Sequence, residues 1–184
     1  MLGTKNCSFP MSSSPSISFK EVETLEERKL LRSIAEPVWR NCYAEILSQE
    51  QMCYMLDWMY AVETIEKEQA QGTKFFIISS VDAATPIGLI SIDTIPNPET
   101  GGVELHKLYT SPSSWGKGIG QAALNFATAQ AINSNAKFIE LRVNRCNERA
   151  VKAYMRNGFY KHREDCLDIG NGFVMDDFIM RKNI

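Results

Sequence analysis

The chain has 184 residues, a formal net charge of −2 and 23% charged residues. That length supports one domain with a real core, and the near-balanced charge argues against nucleic acid or an anionic membrane surface as partner. No apolar run approaches a membrane span, no signal-peptide-like segment opens the chain, and its five scattered cysteines, Cys7, Cys42, Cys53, Cys146 and Cys166, form no Cys-x-x-Cys pair; the expected setting is cytoplasmic, with free thiols and no metal site.

Residues 1–16 are Ser/Pro-rich and read as a loose tail, leaving 17–184 as the expected single domain. Ile17–Glu23 alternates apolar and polar residues as a strand does. Leu25–Ile34 carries helical spacing, with Thr24 placed to cap it and Glu27 three residues on as a capping-box partner. Pro37 is expected to break or restart that helix. Gln49–Tyr60 is amphipathic and aromatic, and Val62–Gln71 continues as a charged helix to a stop at Gly72. The Met/Trp/Tyr stripe of Gln49–Tyr60 suits a core. Lys74–Val81 and Ile87–Ile95 read as a hairpin joined across 82–86. Pro96–Gly102 reads as a turn and Val103–Thr110 as a central strand. A helix, a strand (Lys137–Val143), a helix (Asn147–Asn157) and two strands (Tyr160–Asp168, Phe173–Arg181) complete the order.

The most informative stretch is Leu105–Gly120, where a strand passes through a Ser/Pro bend into Trp115-Gly116-Lys117-Gly118-Ile119-Gly120. An Ala-rich helical segment, Gln121–Asn133, follows at once. Strand, glycine loop and helix N-terminus together present unpaired N–H groups and a favourable dipole to an anion. Without Cβ atoms the main chain can approach a phosphate closely. A Walker A loop is excluded, because Lys117 is followed by Gly118 where Ser or Thr is needed. Gly118, Gly120 and Ala123 match a dinucleotide fingerprint, with Glu140 at the ribose offset. Only 44 residues follow Glu140, however, too few for a doubly wound sheet. Glu104, His106 and Lys107 also interrupt what should be an apolar strand.

Two blocks taken together are more specific. The Val103–Gly120 segment resembles motif A of the GNAT N-acetyltransferases, Gln/Arg-x-x-Gly-x-Gly/Ala, with Trp115 in the Gln/Arg position. About 25 residues later, Asn147, Ala150, Tyr154, Gly158 and Phe159 resemble the family's Asn-x-x-Ala-x-x-x-Tyr-x-x-x-Gly-Phe block. The resemblance covers roughly 75–182. It implies an α/β fold: a mixed, mostly antiparallel sheet of about seven strands, helices on both faces, and the fourth and fifth strands splayed around the cofactor. The Trp39–Tyr43 and Tyr54–Trp58 spacings are similar to those of the spermidine/spermine-type branch.

The resemblance further implies acetyl-CoA as cosubstrate and direct acetyl transfer to a primary amine, whether small amine, polyamine or peptide N-terminus; a homodimer is an assembly such domains allow. The alternative is a non-catalytic acyl-CoA-binding regulator on the same fold. Backbone groups at Leu108, Tyr109 and Thr110 would pair with the pantetheine amide and polarise the thioester carbonyl. Main chain at Trp115, Gly116, Lys117, Gly118, Ile119, Gly120 and Gln121 would cradle the diphosphate, with the Lys117 charge nearby, and Arg149 or Lys152 could reach a further phosphate. Asn147 and Ala150 would flank the pantetheine arm. Tyr154 is the expected general acid: a phenol and a thiol ordinarily differ by about 1.5 units, roughly 2 kcal/mol. Glu104 and His106, on one strand face at i and i+2, are the expected proton relay. Direct transfer from an alkylammonium to an ordinary carboxylate is uphill by about six units, ~8 kcal/mol. Glu104 is therefore expected to work through water or to attract the cation, with imidazole the better relay. Trp39, Tyr43 and Trp58 are candidate walls of an acceptor pocket.

Overall fold

The computed structural model describes residues 16–82, 85–95 and 101–184. The expected tail, part of the 82–86 connection and most of the Pro96–Gly102 turn lie outside the described residues. Within them the order is β1 (Ile17–Glu21), α1 (Leu25–Cys42), α2 (Gln49–Met59), α3 (Val62–Ala70), β2 (Lys74–Ser80), β3 (Pro86–Ile95) and β4 (Gly102–Thr110). After a 3₁₀ turn at Pro112–Ser114 come α4 (Ile119–Asn133), β5 (Phe138–Asn144), α5 (Glu148–Arg156), β6 (Tyr160–Gly170) and β7 (Phe173–Asn183). The seven strands form one sheet in the order β1-β2-β3-β4-β5-β7-β6. Only the β4–β5 pair is parallel among them. This is the α/β arrangement the sequence predicts. No helix among the described residues is long and apolar enough to cross a membrane.

Helix α1 starts where its capping box requires. Thr24 Oγ1 accepts from the Glu27 N–H, and the Glu27 carboxylate accepts from the N–H groups of Glu23 and Thr24. It does not end where expected, since Pro37 lies inside an 18-residue helix. Leu31 and Ala35 before the proline, and Val38 and Trp39 after it, are all buried along one face. Packing on both sides thus outweighs the ~3 kcal/mol cost of an internal proline.

The sheet separates two cores. One, under α4 and α5, gathers Val103, Leu105, Leu124, Ala127, Leu141, Val151 and Phe159; the other, under α1–α3, gathers Leu31, Trp39, Met55, Leu56, Ile65 and Phe75. Leu105 and Leu108 both pack in the first core although they are three residues apart. A strand of period two allows that only across a bulge. The β3–β4 register supplies it: Ile92 faces Leu105 and the next residue, Ser91, faces Lys107, so His106 is the extra residue. The bulge brings Lys107 onto the α1–α3 side. There it is 4% exposed, bonds Glu68 at 3.0 Å and lies 5.1 Å from the Phe75 ring centroid.

Candidate functional site

The parallel pairing of β4 and β5 covers only Val103–Leu105 against Ile139–Leu141, although the strands continue to Thr110 and Asn144. Beyond Leu105 the strands part. A cleft of about 410 Å³ opens there, and one of about 310 Å³ lies beside it under α1 and α2.

The first cleft gathers most of the predicted cofactor residues: Leu108, Tyr109 and Thr110 from β4, Trp115, Gly116, Gly118, Ile119, Gly120 and Gln121 from the loop, and Asn147, Ala150 and Tyr154 from α5 with its cap. Lys117 is not among its walls, and its side chain is exposed. Of the amides from Gly116 to Gln121, only that of Lys117 bonds within the protein among the described residues, to Ser114 O at 3.4 Å. The other five are available because α4 begins at Ile119, and its first-turn N–H groups have no carbonyl behind them. Gly118, the N-cap, has φ +79°, and Gly116 has φ +76°; both lie in the left-handed region that glycine tolerates. A Cβ placed on Gly120 would meet nothing within 4 Å. The residues present therefore fit a diphosphate: open main chain, five unspent donors and a helix dipole.

The strand edge differs from expectation at one residue. Ser111 N–H donates to Ile87 O at 2.7 Å. By alternation the Tyr109 main chain also points into the β3 ladder, and only Leu108 and Thr110 face the gap. Tyr109 instead contributes its ring, which lines both clefts. The Thr110 carbonyl is engaged as well, accepting from Trp115 Nε1 at 2.9 Å. The Arg149 guanidinium sits 3.3 Å from the Trp115 ring centroid. Trp115, where the motif has a polar residue, thus ties the end of β4 to α5. Lys152 is occupied by Glu148 at 2.7 Å. Glu140, the ribose candidate of the rejected fingerprint, is buried and accepts from Arg181 at 3.0 Å.

Tyr154 is half-buried and edge-on to Phe159 at 5.7 Å between centroids. Burial pushes its phenol well above the ordinary range, with Tyr43 adding to the effect. Burial also raises Tyr43, to about 12, partly offset by a hydrogen bond with Asn147. Asn147 Oδ1 caps α5 by accepting from Ala150 N–H at 3.2 Å.

Glu104 and His106 come together, 3.6 Å apart from Oε1 to Nδ1. Glu104 lines the second cleft and His106 lines both. Trp39, Tyr43 and Trp58 line the second cleft, as do Met55 and Met59 of the aromatic stripe. Two residues carry no motif and emerge only in three dimensions. Arg142 borders both clefts, pairs with Asp165, and lies 3.7 Å from Glu104. Its signal is a cation set between the apolar Leu141 and Val143 of β5. Asp177 lines the second cleft at 4% exposure. Desolvation raises its carboxyl to about 6, against the opposing pull of Arg142.

A raised carboxyl makes the folded state bind the extra proton between the unfolded value near 3.8 and about 6. The folded state therefore loses stability as pH rises through that window, by on the order of 2–3 kcal/mol. Asp177→Asn is expected to raise Tm at pH 7.5, with the gain vanishing below pH 4. Paired denaturation curves across pH 4–8 check this; a gain independent of pH would overturn it.

The charges of the two clefts differ in sign. Arg142, Arg149 and Arg156 line the first with no carboxylate, whereas Glu68, Glu104 and Asp177 line the second beside Lys107 and Arg142. Known proteins share this frame. A spermidine N(1)-acetyltransferase of Thermoplasma acidophilum is 29% identical over 168 residues, covering 87% of this chain and 92% of that protein. The crystal structure of PaiA N-acetyltransferase from T. acidophilum in complex with coenzyme A matches at TM-score 0.74 and 26% identity, over 92% of this chain and 99% of that one. Spermidine N-acetyltransferase from Vibrio cholerae, solved with CoA and spermine, shares the fold at TM-score 0.63 and 16% identity, over 91% and 95% of the two chains. The Acetyltransferase (GNAT) family model matches residues 34–159, from α1 through the glycine loop to the end of the α5 block. With that span, the splayed strands and the open loop all in agreement, the chain belongs to the GNAT acetyltransferase family.

Proposed function

We propose that this chain moves the acetyl group of acetyl-CoA directly to a primary amine of a small polycation, with a polyamine as the class of acceptor. The observation that supports this most is the opposed charge of two adjoining clefts, arginine-lined for an anionic cosubstrate and carboxylate-lined for a cationic acceptor. The T. acidophilum relative named for spermidine acetylation supports the same class.

Acetyl-CoA supplies an activated acyl carbon, to which the amine nitrogen bonds as the carbon–sulfur bond breaks. Amides of Gly116, Gly118, Ile119, Gly120 and Gln121 hold the diphosphate. The edges of Leu108 and Thr110 face the gap where the pantetheine amide and the thioester would align. Asn147 and Ala150 form the opposite wall. His106, at the junction of the clefts, is placed to accept the ammonium proton through water. Glu104, 3.6 Å from it, holds the imidazole and attracts the cation. Tyr154 donates its phenolic proton to the departing sulfur. Arg142, fixed by Asp165, holds Glu104 in position between the two sites.

The test is thiol release from acetyl-CoA with a panel of spermidine, diamines, monoamines and a peptide with a free N-terminus. Turnover fastest with spermidine or a diamine is the expected result. Tight coenzyme A binding without release for any amine would instead mark a non-catalytic acyl-CoA-binding module.

A further inference from the structure

Most carboxylates around the second cleft are already answered by a cation. Glu68 bonds Lys107 at 3.0 Å, Asp165 pairs with Arg142, Asp176 meets Arg145 at 2.7 Å, and Glu104 has Arg142 at 3.7 Å. Asp177 is the exception. It is 4% exposed and lines the cleft, yet among the described residues no hydrogen bond or ion pair within 4.0 Å reaches its carboxylate. A buried carboxylate without a partner is costly, and the fold could remove the cost by placing an amide or alkyl group there. A charge kept at such cost on a cleft wall is explained by a ligand that completes it.

We propose that Asp177 selects the acceptor, its carboxylate receiving an ammonium group of the amine other than the one acetylated. This rests on the acetyl-transfer reading above. The sheet sets the spacing. Asp177 stands opposite Asn144 on β5, and Glu104 opposite Glu140, four residues earlier on the same strand. The two carboxylates are thus offset by about 13 Å along the strands and, because β5 lies between β4 and β7, by about 10 Å across them, less the reach of their side chains. An extended triamine suits that separation and a lone ammonium does not. Trp58, Met59, Leu167 and Met175 line the same cleft and offer apolar surface to the methylenes between the charges. The charged and titratable groups acting on Asp177 are Arg142 of β5, Asp165 of β6, Asp176 of β7, Arg145 after β5 and the phenol of Tyr43. Both cations already pair with other carboxylates, Arg142 with Asp165 and Arg145 with Glu164 and Asp176.

The experiment compares the full chain with Asp177→Asn, and with Asp177→Ser as a second variant, each qualified by unchanged coenzyme A affinity. Spermidine and n-butylamine are the paired acceptors. The expected result is a rise in KM for spermidine of about ten- to hundredfold, with kcat within about threefold and the KM for butylamine unmoved. Equal losses for both amines, or a fall in kcat with KM unchanged, would overturn the assignment. Calorimetric titration of spermidine into the coenzyme A-loaded protein reads the same residue without turnover. Binding by the native chain that Asp177→Asn abolishes supports the proposal even should no amine be acetylated, and absence of native binding refutes it.

Discussion

Tyr154→Phe is expected to lower kcat by about a hundredfold or more while leaving coenzyme A affinity within about twofold. The substitution removes one oxygen and keeps the ring that packs edge-on to Phe159, so α5 and the cleft wall stay in place. Burial drives the phenol upward, which widens its gap to an ordinary thiol. The departing sulfur, however, would emerge in the same desolvated gap between β4 and α5, where an anion is also penalised and its proton affinity rises in parallel. The two effects offset, and the transfer stays feasible for a phenol that remains protonated across the physiological range. The activity of Tyr154→Phe should therefore fall without a shift of the acidic limb of the pH profile. Full activity in this variant would remove Tyr154 from the reaction and leave it a packing residue.

The second large effect is expected at Gly120. Its added Cβ would meet no protein atom within 4 Å, and alanine is better than glycine inside a helix by roughly 0.5–1 kcal/mol. Gly120→Ala is thus expected to fold at least as well as the native chain. The new methyl projects into the cleft that Gly120 lines, where it obstructs approach of a diphosphate to the five open amides. We expect the coenzyme A dissociation constant to rise about tenfold, equivalent to about 1.4 kcal/mol, and about a hundredfold or more for Gly120→Val. Isothermal titration beside a thermal melt separates the two quantities. A normal Kd in Gly120→Val, with the fold intact, would show that the diphosphate lies elsewhere.

Both predictions start from local pattern. The Thr24–Glu27 capping box, the Gly72 stop, the glycine loop and the order of strands and helices were legible because each depends on neighbours within a few residues. The place of Tyr154 on the first cleft was legible through its spacing from Asn147, Ala150, Gly158 and Phe159. Pro37 misled, because its penalty is local while its compensation is burial of Val38 and Trp39 against distant strands. The i, i+2 reading of Glu104 and His106 reached a true contact by an incomplete route. The bulge displaces His106 from the alternation, and it sits between the clefts for that reason. The main-chain role expected of Tyr109 is unavailable because its backbone faces the β3 ladder.

The sequence by itself determined the family, the fold and the open glycine loop at the start of α4, since periodicity, caps and glycine spacing act over one or two turns of chain. The acceptor side was decided only in three dimensions. Arg142 and Asp177 lie 35 residues apart in sequence, and cross-strand pairing of β5 with β7 sets them on one cleft wall. Their meaning comes from desolvation and from which charges are already answered. Those quantities depend on every neighbouring element at once, and no spacing rule encodes them.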